Sequence, residues 1–253
     1  MRGRMRRVLD GLRQAVLRGI GHRPWIWMGS YGITTTHAGR FILLPAGDVS
    51  IAPGIAALGR WEPQVEALLR RLLRRGDVVA EVGANVGYHT LVMADRVGRT
   101  GHVHAFEPHP RLVPLLDRTI GMNGLRSRVT LHAAEALDQA GRVAFAVDPA
   151  HFGSGHKRAE GLGPAYDAVY SDRFEVAAVT LDEALRDVPA LDLLRMDAEG
   201  SEGLALRGGA RLVERSPRLR ILMEWSPPML SVRTSAEGLA AALGAAGFRA
   251  WIV

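Results

Sequence analysis

The chain of 253 residues is long enough for one α/β domain with additional elements and too short for two domains of ordinary size. Its hydrophobic content of 47% is typical of a soluble globular protein, and the absence of cysteine excludes disulfides, thiolate zinc sites and a cysteine nucleophile. The net charge of +6 comes from arginines that are mostly scattered, with Lys157 the single lysine, which argues against a nucleic-acid-binding patch.

The sequence contains no pattern of a membrane span or of a signal peptide. No run approaches the roughly 18 apolar residues that a spanning helix needs. After the basic start, Asp10, Arg13 and Gln14 interrupt what would have to be the apolar core of a signal peptide. We therefore expect a cytoplasmic protein.

Residues 1–24 form a basic segment in which residues 5–20 have the spacing of an amphipathic helix. The apolar positions of this helix are Met5, Leu9, Leu12, Val16 and Ile20. Opposite them lie Arg4, Arg7 and Arg18. Such a helix either packs on its own domain, which we favour, or contacts an anionic membrane surface as a peripheral element.

Residues 25–60 hold two short apolar stretches, at 39–44 and 49–52, separated by residues 45–48. This spacing predicts a β-hairpin, followed by a helix over residues 62–74.

From residue 77 onward the chain alternates between strand and helix patterns. Strands are predicted at residues 78–82, 102–106, 129–133, 191–196, 219–224 and 248–253. Helices are predicted at residues 88–96, 111–122, 201–215 and 236–246. This order predicts a Rossmann-like α/β sheet with helices on both faces, the core of a single domain spanning residues 1–253.

Residues 135–182 depart from this rhythm. They contain predicted strands at 142–147 and 174–179, with a loop rich in glycine and histidine between them, and lead into a predicted helix at 181–185. Because loops on such scaffolds carry function, we expect residues 148–173 to recognise the substrate. The simpler alternative is that its histidines, His151 and His156, are only solvent-exposed.

The clearest motif is the apolar strand that leads through Glu81 into the turn Gly83-x-x-x-Gly87 and then into a helix. The glycines allow a tight turn and a close approach to a ligand, and the helix start presents free N–H groups. A dinucleotide site would have a glycine between these two, and its pyrophosphate would be repelled by Glu81. A sulfonium cofactor with a free amino group suits this acid, although a plain tight turn explains the glycines alone.

Two further strand ends carry residues that suit the same cofactor. Glu107 ends the second strand, where a carboxylate can accept hydrogen bonds from ribose hydroxyls, and Ala134-Glu135 follows the third strand, where an adenine would bind. Three successive strand ends of this kind predict an S-adenosylmethionine site.

With these motifs the chain resembles the FkbM-type methyltransferase family over residues 59–251. The resemblance rests on residues 59–63, 81–88, 105–108, 122–123, 179–183, 196–202 and 223–224. It implies a class I methyltransferase fold and O-methylation of sugar or secondary-metabolite hydroxyls. It also implies that Glu62, Asn85, Tyr88 and Asn123 join the cofactor shell.

Two departures from the family pattern matter. Glu81 stands where the family usually has aspartate. The chain ends directly after the predicted sixth strand, and we expect a seventh strand either to be absent or to be supplied by a partner. The residues expected to bind the cofactor are Glu62, Glu81, Gly83, Ala84, Asn85, Gly87, Tyr88, Glu107, Pro108, Asn123, Ala134 and Glu135.

The candidate catalytic residues are Asp197, Glu199 and His156. Asp197 ends the fourth strand, beside the reactive methyl in this fold, where it could accept the acceptor proton or hold the cofactor amino group. His156 is the alternative base. Asp197, Glu199 and Glu224 are candidate ligands for a divalent metal, which we do not favour because no second Asp or Asn adjoins Asp197.

Two neighbouring residues are assigned structural roles in preference to catalytic ones. Ser201 is predicted to cap a helix, with Glu202 favoured electrostatically in its first turn. His89 is predicted to pack against the cofactor.

We therefore expect an O-methyltransferase that transfers a methyl group in line from S-adenosylmethionine to a small-molecule hydroxyl. The alternatives are a methyltransferase acting on RNA or another non-sugar acceptor, a nicotinamide-dependent oxidoreductase, and a cofactor-binding protein without catalysis. A homo-oligomer is compatible with the sequence.

Overall fold

The computed structural model describes residues 23–158 and 163–252, so the predicted helix at residues 5–20 lies outside the described part of the chain. The strands are β1 (Ile26–Trp27), β2 (Tyr31–Thr35), β3 (Phe41–Pro45), β4 (Val78–Val82), β5 (His102–Phe106), β6 (Val129–His132), β7 (Glu135–Ala136), β8 (Gly141–Asp148), β9 (His151–Lys157), β10 (Asp172–Val179), β11 (Leu193–Met196) and β12 (Arg220–Met223). The helices are α1 (Ile51–Leu58), α2 (Pro63–Leu72), α3 (Tyr88–Val97), α4 (Val113–Met122), α5 (Gly163–Val169), α6 (Leu181–Ala184), α7 (Glu202–Gly208), α8 (Ala210–Glu214), α9 (Pro227–Ser231) and α10 (Ala236–Ala245). None of these described helices combines the length and the apolar character needed to cross a membrane.

The centre of the fold is a five-stranded parallel sheet in the order β12-β11-β4-β5-β6. Side chains alternate across it, so Val79 of β4 faces a core formed with α2, α3 and α4. Ala80 and Val82 face the opposite core, formed with α6, α7 and α8. Both faces are covered by helices, as the apolar runs of a parallel sheet require. The predicted Rossmann-like α/β fold is confirmed.

The strand order determines where a ligand can bind. The chain passes from β4 to β5 on one side of the sheet, whereas β11 and β12 lie on the other side of β4. In open parallel sheets such a reversal leaves a crevice at the carboxyl ends of the strands. The residues that follow β4, β5 and β11 therefore converge on one place.

A second, four-stranded sheet has the order β7-β10-β8-β9 and contains the departure from strand–helix alternation. The predicted strands at 142–147 and 174–179 are present as β8 and β10, but the expectation of an open loop between them is wrong. Residues 151–157 form β9, which pairs antiparallel with β8. The glycines serve close packing here, because a Cβ on Gly155 would lie 2.6 Å from the Phe145 ring.

The N-terminal hairpin exists, but its predicted pairing is wrong. β3 pairs with β2, and β1 pairs on the outer edge of β2. Residues 51–52, predicted as part of a strand, begin α1 instead. The Asp48 carboxylate causes this, because it accepts hydrogen bonds from the backbone N–H groups of Ile51 (2.9 Å) and Ala52 (2.6 Å).

Two expectations about the C-terminal third are also wrong. The predicted sixth strand at 248–253 is absent over the described residues up to 252, because α10 ends in a turn at Gly247 (φ 85°) and the Phe248 N–H bonds back to Leu243. The predicted helix at 201–215 is divided into α7 and α8. A Cβ on Gly208 would lie 1.9 Å from the Leu137 carbonyl oxygen, so this close approach requires glycine where the division occurs.

Candidate functional site

A cavity of about 450 Å³ opens at the carboxyl ends of β4, β5 and β11. Most of the residues predicted for the site line it: Glu62, Gly83, Ala84, Asn85, Tyr88, Glu107, Pro108, Ala134, Glu135, Asp197, Glu199 and Glu224. Residues 151–155 of β9 form a further wall. A Cβ on Gly153 would lie 2.8 Å from the Asn85 amide nitrogen, so β9 lies directly against the turn after β4.

The turn after β4 has the shape that its glycines predicted. The N–H groups of Gly83 and Ala84 bond back to the Phe106 carbonyl at the end of β5 (3.1 and 3.0 Å). Gly83 has φ 81°, and a Cβ there would lie 1.9 Å from the Asp197 carbonyl oxygen. Gly87 does not line the cavity, but it has φ 88° and begins α3, where a Cβ would meet Leu116 at 2.4 Å. Both positions require glycine.

Glu107 is held rigidly at the end of β5. Its two carboxylate oxygens accept hydrogen bonds from the backbone N–H groups of Asn85 (2.6 Å) and His109 (2.8 Å). Burial raises the pKa of Glu107 to about 7. A buried carboxylate oriented in this way is a fixed acceptor at the cavity wall.

Glu135 presents an unused acceptor atom. One of its oxygens accepts from the Ser201 hydroxyl (3.1 Å) and from the Lys157 N–H (3.2 Å). Its other oxygen, Oε2, is buried without a hydrogen-bond partner among the described residues. Burial raises the pKa of Glu135 to about 7. A buried acceptor of this kind needs a donor, which a ligand could supply.

The Ser201 hydroxyl does not cap α7, contrary to its predicted role, because it is bound to Glu135. Glu202 is buried at the start of α7 and accepts a hydrogen bond from the Ala198 N–H (2.8 Å). The structural role predicted for Glu202 agrees with this contact.

A buried arginine that the sequence analysis did not single out joins two strand ends. Arg195 lies in β11, directly beside Glu81 of β4 in the sheet register. Its guanidinium donates to the Gly83 carbonyl (3.0 Å) and to Asp197 (2.6 Å), and it lies 3.6 Å from Glu81. The sequence does contain an indication of this role: Arg195 is a charged residue in the strand Leu193–Met196, whose other residues are apolar.

Glu81 lies beneath the cavity and does not line it. Its carboxylate is fully buried and accepts a hydrogen bond from the Thr90 hydroxyl (2.5 Å). Burial raises the pKa of Glu81 to about 7, although the nearby Arg195 acts in the opposite direction. Burial also opposes the charge of Arg195, but Asp197, Glu81 and Glu62 together raise its pKa above the ordinary value.

Three non-glycine residues among those described have a left-handed backbone conformation, and all three line the cavity. They are Glu62 (φ 43°), Asn85 (φ 53°) and Glu199 (φ 50°). This conformation costs of order 1 kcal/mol or more per residue, so surrounding contacts must hold each one. Such strain concentrates at ligand sites, which supports a functional assignment of this cavity.

His89 also lines the cavity, as the prediction that it packs against a cofactor requires. Its Nε2 lies 3.0 Å from a carboxylate oxygen of Glu62, while Nδ1 is buried without a partner among the described residues. This contact is the largest cause that lowers the pKa of Glu62, and burial lowers the pKa of His89.

Asp197, Glu199 and Glu224 can each place a carboxylate oxygen within 4.8 Å of the others. Burial, followed by repulsion from Asp197 and Glu224, raises the pKa of Glu199 to about 8. Burial and repulsion from Asp197 and Glu202 raise the pKa of Glu224 to about 7. Such a group either holds protons or binds a cation.

Asn123 and His156 do not line the cavity. The Asn123 amide accepts from the Phe41 N–H (3.0 Å) and donates to the Phe41 carbonyl (2.7 Å), and so joins α4 to β3. His156 is buried in β9, with Nδ1 2.7 Å from the Ser154 carbonyl and Nε2 2.6 Å from the Tyr166 hydroxyl. Burial lowers the pKa of His156 to about 4. Both ring nitrogens are therefore occupied by protein groups.

A family model described as the methyltransferase FkbM domain matches residues 81–250. The 31-O-demethyl-FK506 methyltransferase FkbM of Streptomyces tacrolimicus is 32% identical over 163 residues, covering 54% of this chain and 60% of that protein. A protein-L-isoaspartate O-methyltransferase of Ignicoccus hospitalis is 58% identical over 40 residues, covering 16% of this chain and 19% of that protein. The chain spans less than two thirds of the length of these relatives.

Solved structures with low sequence identity also align with the chain. Aeropyrum pernix fibrillarin with bound S-adenosyl-L-methionine aligns with a TM-score of 0.43 and 14% identity, over 91% of each chain. The precorrin-6y C5,15-methyltransferase of Geobacter metallireducens aligns with a TM-score of 0.43 and 15% identity, over 74% of this chain and 71% of that one.

We predict that Arg195→Met lowers the free energy of unfolding by about 3–5 kcal/mol at neutral pH, because Glu81 and Asp197 then lose their shared cation. Chemical denaturation measures this change. Arg142→Met is the control, since its ion pair with Glu175 is exposed and contributes less than about 1 kcal/mol. Equal effects of the two substitutions would contradict the assignment.

Proposed function

The chain belongs to the FkbM methyltransferase domain family, and we propose that it transfers a methyl group from S-adenosylmethionine to a hydroxyl oxygen of a sugar or secondary metabolite.

The observation that carries the proposal is the charge of the cavity. Its described lining residues contribute six carboxyl groups and one guanidinium, that of Arg195. The carboxyl groups belong to Glu62, Glu107, Glu135, Asp197, Glu199 and Glu224. A cofactor with a sulfonium and an ammonium group would be attracted here, whereas the pyrophosphate of a nicotinamide cofactor or the phosphates of RNA would be repelled.

The lining residues would suit the ribose and the adenine of S-adenosylmethionine. Glu107, fixed by two backbone N–H groups, would accept hydrogen bonds from the ribose hydroxyls. The free oxygen of Glu135 would accept from the adenine amino group. The turn from Gly83 to Asn85 leaves room for the close approach of a ligand, and Asp197 lies at its side. Asn123, which binds Phe41, has no part in this proposal.

The rate of methyl transfer would depend mostly on how the cavity positions the acceptor hydroxyl relative to the methyl group. S-adenosylmethionine supplies an electrophilic methyl group when it is bound. Asp197 would accept the proton of the acceptor hydroxyl, and Arg195 holds that carboxylate in place at 2.6 Å. His156 is replaced as the candidate base by Asp197, because its ring nitrogens are both occupied. Glu199, with a pKa raised to about 8, would hold a proton near neutral pH and so reduce repulsion beside Asp197.

The acceptor would bind against β9. Residues 151–155 line the cavity, and Gly153 among them lies against Asn85. Among the described residues of the predicted recognition segment, residues 148–173, only residues 151–155 line the cavity, and we assign acceptor recognition to them. The proposal requires no divalent metal, since Asp197 already has a cationic partner in Arg195.

We expect calorimetry to detect binding of S-adenosylhomocysteine and no binding of NAD. Glu107→Gln should weaken S-adenosylhomocysteine binding about ten- to a hundredfold, because hydrogen bonds to a charged group are lost. Glu175→Gln is the matched control, because the Glu175 side chain is exposed on β10, away from the cavity. Unchanged affinity of the Glu107 variant would remove the ribose assignment, and tight NAD binding would remove the proposed cofactor.

The affinity ratio of S-adenosylmethionine to S-adenosylhomocysteine should rise with pH. Folding raises the pKa of Glu107, Glu135 and Glu224 to about 7 and that of Glu199 to about 8, so the stability that their protonated forms contribute is lost as pH rises through these values. Ionised carboxylates favour the ligand that carries the additional sulfonium charge. Calorimetry between about pH 6 and about pH 8.5 measures the ratio. A constant or falling ratio would contradict the charge argument.

Incubation with S-adenosylmethionine and a panel of sugars and secondary metabolites should yield a product heavier by one methyl group in mass spectrometry. Asp197→Asn should reduce turnover at least about a hundredfold, while S-adenosylhomocysteine affinity stays within about twofold. Chelation by EDTA should leave turnover unchanged. If EDTA abolishes turnover and Mg²⁺ restores it, Asp197, Glu199 and Glu224 form a metal site and the metal-free mechanism is wrong.

A further inference from the structure

Four consecutive large apolar residues are exposed at the edge of the N-terminal sheet. Trp25, Ile26, Trp27 and Met28, called here the apolar strip, have exposed fractions of 42%, 47%, 59% and 49%. Soluble surfaces rarely expose contiguous apolar side chains of this size without a partner. This surface is separate from the cavity, and nothing in the methyl-transfer proposal uses it.

The apolar strip is held in a defined conformation. β1 pairs with β2 on one side, and within the described residues its other edge is unpaired. The Trp25 ring lies over Gly32, where a Cβ would be only 2.1 Å from it, and the Met28 N–H bonds to the Tyr31 carbonyl at 2.9 Å. Neighbouring side chains of a strand point to opposite sides, so exposure of both Ile26 and Trp27 forms a ridge with two free faces. A ridge can insert into a soft surface, whereas a flat protein partner would cover one face.

Positive charge is concentrated in the sequence just before this ridge. Residues 1–22, which directly precede it, contain six arginines and one acid, Asp10, and so account for five of the six net positive charges of the chain. Among the described residues, Arg118 adds a further positive charge next to β2. Its guanidinium lies over the Tyr31 ring, 5.6 Å from the ring centre. The rest of the chain is nearly neutral, so most of the net positive charge lies in the sequence before the apolar strip.

We propose that the apolar strip and the basic residues before it dock on an anionic lipid surface. Tryptophan rings favour the boundary between headgroups and acyl chains, and arginines are attracted to anionic headgroups. Ile26 and Met28 add aliphatic area between and beside the two tryptophans, which favours insertion into lipid over stacking with unpaired bases. The proposal does not depend on the methyl-transfer activity.

The test is cosedimentation of the full chain with phosphatidylcholine vesicles, with and without about one third phosphatidylglycerol. We expect binding to the anionic vesicles only, weakened at high salt, with a blue shift of tryptophan emission. Ile26→Ser with Trp27→Ala should weaken binding about tenfold or more through the loss of inserted apolar area. Arg6→Ser with Arg7→Ser should weaken it about thirtyfold, since each arginine near such a surface contributes about fivefold.

Trp251→Ala is the matched control, because Trp251 is more exposed (76%) and lies outside the apolar strip. Thermal unfolding of each variant shows that the fold is retained. The proposal is overturned if anionic vesicles do not bind the chain, or if the strip variant binds as well as the control. It is also overturned if single-stranded RNA binds the chain more tightly and displaces it from the vesicles.

Discussion

The Arg195 guanidinium lies buried between the carboxyl ends of β4 and β11, and the geometry of the cavity depends on it. It bonds to the Gly83 carbonyl and to Asp197, and Glu81 lies opposite it in the sheet register. Without this cation, two acids at neighbouring strand ends would repel each other in a region with little water. The arginine therefore fixes the turn after β4 relative to the end of β11, where the proposed reaction takes place.

Close backbone approaches add a second constraint on the same region. Gly83 lies against the Asp197 carbonyl, and Gly153 of β9 lies against Asn85. Any side chain at these glycines would separate the elements. The left-handed conformations of Glu62, Asn85 and Glu199 show that strain accumulates around the cavity while the rest of the described chain avoids it. Close contacts and local strain therefore occur together around the cavity.

The electrostatic character of the cavity follows from the same crowding. Burial and mutual repulsion raise the pKa of carboxyl groups in the cavity, so these groups are partly protonated near neutral pH. A bound cation would stabilise their ionised forms. The sulfonium group of the proposed cofactor would provide such a positive charge, whereas phosphate groups would be repelled. The exposed tryptophans Trp25 and Trp27 do not line this acidic cavity.

The sequence alone determined the features that local patterns encode. The runs of apolar residues predicted β4, β5 and β11, and the Gly83-x-x-x-Gly87 turn with Glu107 and Glu135 predicted which strand ends would meet. These inferences succeeded because parallel strands bring their carboxyl ends to one edge whatever the detailed packing. Only the tertiary structure decided features that depend on contacts between distant residues. In the sequence, the glycines of β9 predicted a loop. The tertiary structure instead places them in a strand, where they pack against Phe145 and Asn85. Asn123 and His156 had suitable chemistry, but Phe41, Ser154 and Tyr166 occupy their polar atoms. Arg195 gave one charge in an apolar strand, and its role follows from the register that places it beside Glu81, which no local pattern specifies.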